Sequence, residues 1–98
     1  MSRIANSAAC QTVRRWIIQR EGRGAFAGFT AQDSHAFSCF VHAMELWCVG
    51  TRAPAIAIMA AALGAMQEKH RYLCKQAIPA IGDWGHVDEI WPQIGLGS

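Results

Sequence analysis

The stretch TAQDSHAFSCFVHAMELWCVG, Thr30 to Gly50, decides the fold class. Thr30 stands three residues before Asp33. At that spacing each side chain accepts from the other's backbone N–H, a short-acid variant of the capping box that opens a helix. Gly50 closes the stretch, glycine being the residue best suited to the left-handed backbone just past a helix end. Between these signals the apolar side chains cover nearly the whole circumference, with Phe37, Val41, Met44 and Cys48 on one side and Phe40, Ala43 and Trp47 on another. The pattern predicts a helix over 31–49 that is central and buried.

Towards the N-terminus, Asn6 or Ser7 is placed to cap a helix over 7–21 with an apolar stripe of Ala9, Val13, Trp16 and Ile17. Gly22 ends it, and the glycines from Gly22 to Gly28 mark a loop. Towards the C-terminus, Thr51 and Pro54 suit the start of a third helix, expected over 54–78 and closed by Pro79. Its first half, Ala53 to Met66, is almost wholly apolar; its second half, Gln67 to Gln76, is polar. The apolar run of 14 residues is shorter than the roughly 17–25 a membrane span requires. Small residues at 57, 61 and 65, and at 60 and 64, favour close approach of a neighbouring backbone. Residues Gly82 to Gly85 read as a turn, followed by a short helix over 86–91 that Pro92 stops and a tail at 95–98. The expected fold is all-α, a small helical bundle of three main helices plus a short C-terminal helix.

A chain of 98 residues has the length of one domain. With 52% hydrophobic and 16% charged residues, it has ample core material and few charges to cover its surface. That balance favours a homo-oligomer, with a dimer expected through the alanine-rich third helix. No apolar stretch suited to a signal peptide follows Arg3, so a cytoplasmic location is expected, with Cys10, Cys39, Cys48 and Cys74 as reduced thiols.

Ligand-type side chains repeat at helical spacing: His35, Cys39 and His42 on the second helix, His70 and Cys74 on the third. If the two helices pack antiparallel, these faces meet and offer nitrogen and sulfur ligands to zinc or haem. The competing account is that buried cysteine behaves as a small hydrophobe, and it is preferred because no CxxC strengthens the metal signal. Cys39 with His42, or Cys74 with His70, also has the makings of a thiol–imidazole pair, but no local motif supplies an orienting acid or an oxyanion hole. His42 with Glu45 lacks the partner glutamates of a carboxylate-bridged di-metal site. No enzyme activity and no resident cofactor are expected.

The net charge of +2 is too small to argue for nucleic acid, although the basic residues gather early and Asp83, Asp88 and Glu89 late. Residues Val49 to Pro54 resemble the turn of a helix-turn-helix, yet the following Ala55-Ile-Ala-Ile-Met-Ala60 has nothing to read a base edge. Sequence-specific DNA reading is therefore excluded, and what remains is a basic face that either touches phosphates or is simply solvated. Four tryptophans in so short a chain carry more weight, because Trp and Arg concentrate at interface centres. Trp47 is expected in the core. The expected partner surface comprises Arg14, Arg15, Trp16, Arg20, Arg23 and Trp84. These residues lead to a non-enzymatic helical interaction protein that self-associates and binds a protein or nucleoprotein complex. Small chains without catalytic motifs are often phage or mobile-element accessory proteins that inhibit a host complex, and that class is the one expected.

Overall fold

The computed structural model describes residues 7–95. Its described part is all-α: five helices, no strand, and short 3-10 turns between some of the helices.

Helix α1 (Ala8–Glu21) starts where Ser7 accepts the backbone N–H of Cys10 at 3.1 Å; the other capping candidate, Asn6, lies outside the described residues. Cys10, Val13 and Ile17 form its buried stripe, and Gly22 ends it. The glycine loop is partly ordered as a 3-10 turn, Arg23–Phe26.

Helix α2 (Ala31–Cys48) has both halves of the expected capping box: Asp33 N–H donates to Thr30 Oγ1 at 3.0 Å and Thr30 N–H to Asp33 Oδ2 at 3.2 Å. At its far end Gly50 takes φ +96°, which lets Thr51 N–H reach back to the carbonyl of Leu46 at 2.9 Å and Gly50 N–H to that of Trp47. This double return satisfies carbonyls that the helix end would otherwise leave open. Phe37, Phe40, Val41, Met44 and Trp47 are all buried, so α2 is the central helix, packed against three others. Truncating Phe40 to Ala is expected to cost about 3–5 kcal/mol.

Helix α3 (Arg52–Ala65) returns antiparallel along α2; Gln32 at the start of one donates to the carbonyl of Ala65 at the end of the other, at 2.9 Å. Here the chain departs from the single helix expected over 54–78. It leaves the helix at Met66, makes a 3-10 turn at Glu68–His70, and resumes as α4 (Tyr72–Ile81). A continuous 25-residue helix would extend roughly 37 Å, beyond the 31 Å longest extent of the molecule. The break lets α4 fold back onto α1 and α2. Pro79 does not close the helix but sits buried in its last turn, where it removes one backbone donor shortly before the helix ends.

Gly82 then turns the chain; a Cβ there would stand 2.6 Å from His86 Nδ1. Helix α5 (Trp84–Ile94) begins two residues earlier than expected and runs through Pro92. The earlier start comes from Asp83, whose carboxylate accepts the His86 N–H at 3.2 Å while its own N–H donates to His86 Nδ1 at 3.0 Å. Trp84 and Gly85, read as turn residues, are therefore helical. Val87, Ile90 and Ile94 bury against α3 and α4. Of the expected tail, 96–98 lies outside the described residues. No helix among the described residues is long and apolar enough to cross a membrane.

Candidate interaction surface

Trp16 and Arg20 are one turn apart on α1, and Trp84 is the first residue of α5. Capping by Asp83 carries Trp84 to the side of α1, where its ring centroid lies 6.2 Å from that of Trp16 at an interplanar angle of 49°. The Arg20 guanidinium stands over both rings, 4.8 Å from the Trp16 centroid and 5.0 Å from that of Trp84. Each such cation–ring contact is worth about 0.5–1 kcal/mol at an exposed site. Trp84 remains 52% exposed and Arg20 is exposed, so the cluster is not a core feature. Among the described residues no Asp or Glu carboxylate pairs with an arginine or lysine, so none neutralises Arg20.

Beside this cluster, Thr12, Arg15, Trp16 and Gln19 line a shallow cleft of about 330 Å³. Arg15 thus adds an unpaired cation next to Trp16. Arg23 is exposed at the start of the 3-10 turn. Arg14 does not join them. Its guanidinium covers the rings of Phe26, Phe37 and Phe29 at 4.9, 5.5 and 5.6 Å, where it caps the aromatic cluster that anchors the glycine loop. The structure therefore brings together Trp16, Arg20, Trp84 and Arg15 and sends Arg14 to a different task.

The ligand-type side chains are dispersed. His35 Nε2 lies 3.6 Å from Cys39 Sγ at the rim of an α2–α3 groove, while His42 is exposed further along the helix. His70 falls in the 3-10 turn, buried edge-on against Phe29 at 4.9 Å, because the expected third helix is interrupted before it. Cys74 is wholly buried with its thiol against Met66 Sδ at 3.3 Å, and burial holds that thiol well above the usual thiol range. Burial also pushes the Cys39 thiol up, the opposite of what an activated nucleophile or a metal ligand needs. Among the described residues no three His, Cys, Asp or Glu side chains are grouped so as to hold a metal ion.

The Trp16–Arg20 contact has a legible signal in its i, i+4 spacing, but nothing local announces that Trp84 completes it. Arg52 over Trp47 at 4.8 Å and Lys75 over Trp91 at 5.8 Å repeat the same preference of cations for aromatic rings over carboxylates. No protein-family model, no curated protein and no solved structure matches this chain.

Proposed function

We propose that this chain is a non-enzymatic interaction protein that docks on an acidic surface of a protein or nucleoprotein complex through Trp16, Arg20 and Trp84, with Arg15 at the rim. The observation that carries the reading is Arg20 lying over both indoles with no carboxylate partner. Two large rings held by α1 and α5 supply apolar area with little side-chain freedom left to lose, and an unpaired guanidinium between them supplies a charge seeking an anion. The reading fits an accessory protein of the kind phages and mobile elements use to block a host complex by occupying its surface. Self-association is proposed through the outward side of α3, where Ala57, Ala61 and Gly64 are exposed on an otherwise apolar helix.

The test compares wild type with Arg20→Glu and Trp84→Ala for retention of partners from cell extract, with helical circular dichroism as the folding control. A partner with an acidic face, held by wild type and lost with both variants, is the expected result. Retention unchanged in both would refute the surface. Nuclease treatment of the extract separates the partner classes: retention that survives it comes from a protein surface, and retention lost with it comes from nucleic acid. Native mass spectrometry of the same preparation reads the expected dimer.

A further inference from the structure

A second cleft lies on another face, where the end of α2, the start of α3 and the end of α5 meet. It is lined by Trp47, Arg52, Ala53, Ile56 and Gln93 and encloses about 430 Å³. That volume falls in the range of small-molecule pockets, about 300–1,000 Å³. We propose that it binds a small apolar carboxylic acid, with Arg52 as the partner of the carboxylate and Trp47 as the wall for the apolar body.

The cleft holds a cation with no carboxylate partner among the described residues. The Arg52 guanidinium lies 4.8 Å over the Trp47 ring and is paired with no carboxylate among the described residues. Trp47 is only 4% exposed, and its Nε1–H is buried without an acceptor. Trp47 therefore offers the cleft apolar ring surface rather than a donor. One N–H of the Gln93 amide is committed to the Glu89 carbonyl at 2.9 Å. The charged donor open to the cleft is therefore Arg52, and no lining residue is acidic.

This combination selects among ligands. A cation is repelled by Arg52, and a neutral molecule leaves the guanidinium charge unanswered. A carboxylate satisfies the planar fork of the guanidinium, while an attached ring or branched chain lies against Trp47 and Ile56. Since a cavity of about 150 Å³ already holds benzene, this open cleft accepts an acid of on the order of ten non-hydrogen atoms.

The experiment titrates the full ¹⁵N-labelled chain with phenylacetate and, separately, with its neutral amide, following the Trp47 indole N–H resonance assigned with Trp47→Phe. The expected result is a saturable shift with the acid and an affinity at least about tenfold weaker for the amide. Arg52→Gln is expected to weaken acid binding by about tenfold or more and to erase the preference over the amide. Ala53→Trp, at an exposed position, fills the cleft and abolishes binding without lowering the thermal midpoint. The proposal is overturned by equal affinity for acid and amide, by unchanged binding in Arg52→Gln, or by no saturable shift at about 10 mM acid. Should Ala53→Trp unfold, the acid–amide comparison on wild type decides the matter alone.

Discussion

The backbone N–H of Gln67 donates to Asp33 Oδ1 at 3.0 Å, and that bond marks where the third expected helix stops. In a continuous helix the same N–H would meet the carbonyl of Leu63; instead that carbonyl accepts Arg71 Nε at 2.9 Å. Asp33 thus caps α2 and captures the chain leaving α3, and the Gln67 side chain closes on its other oxygen at 2.5 Å. Burial alone would raise the Asp33 carboxyl. The bonds from Gln67 and Thr30, helped by nearby His70, outweigh that and hold it below its usual value of 3.8.

A depressed folded pKa means that ionised Asp33 contributes stability that is fully present above pH 3.8 and is lost as pH falls through the lower folded value. Asp33→Asn is therefore expected to unfold at lower urea concentration than wild type at pH 7, with the gap narrowing in acid. Urea midpoints measured from pH 7 down to about pH 3 check this. A gap that stays constant across the range would show that the charge of Asp33 has no part in the effect.

Gly82→Ala places a methyl group 2.6 Å from His86 Nδ1 and 3.1 Å from the Met44 methyl. The His86 ring is engaged in capping α5 and Met44 is a core residue, so neither yields freely. A loss of about 1–3 kcal/mol is expected from such overpacking. In a His86→Ser background the same substitution is expected to cost about 1 kcal/mol less, and a double-mutant cycle reads that coupling.

Local signals were enough for the caps and for the central helix, because Ser7, Thr30 with Asp33, and Gly50 act within a few residues of themselves. The break at Met66 was not legible, since its cause is a carboxylate 34 residues away in sequence. The run through Pro92 was missed for another reason: proline costs a helix little when only the final residues follow it, and Ile94 gains burial by staying helical. The candidate surface was legible in part. Helical geometry separates Arg14 from Arg20 by roughly 120° around the axis, which already argues against one common face, but the destination of Arg14 among three phenylalanines depends on the folded glycine loop.

That separation predicts different outcomes for two similar substitutions. Arg14→Ala removes a half-buried side chain that covers Phe26, Phe29 and Phe37, so a loss of roughly 1–2 kcal/mol is expected from packing and ring contacts together. Arg20→Ala is expected to cost no more than about 1 kcal/mol, its contacts lying at an exposed site. Chemical denaturation of the two variants side by side gives the ranking. The reverse order would mean that the Trp16–Arg20–Trp84 cluster is principally a stabilising device.

The cysteines provide a check on the packing that is independent of any partner. Cys48 is exposed, Cys39 is half-buried beside His35, and Cys10 and Cys74 are buried, Cys10 with its sulfur 3.4 Å from Ser38 Oγ. A thiol reacts through its thiolate, so access and pKa act together. Burial denies both to Cys74, and it slows Cys39 by raising its pKa. Under native conditions at pH 8, a small alkylating reagent is expected to modify Cys48 first and Cys39 more slowly. Cys10 and Cys74 are expected to react only at the rate at which the protein opens. Mass spectrometry of digests taken over time reads the order directly. Because Cys74 packs on Met66 at the junction between α3 and α4, its labelling in step with Cys39 would mean that this junction opens without global unfolding. Protection matching that of Cys10 would place the junction within the most stable part of the core.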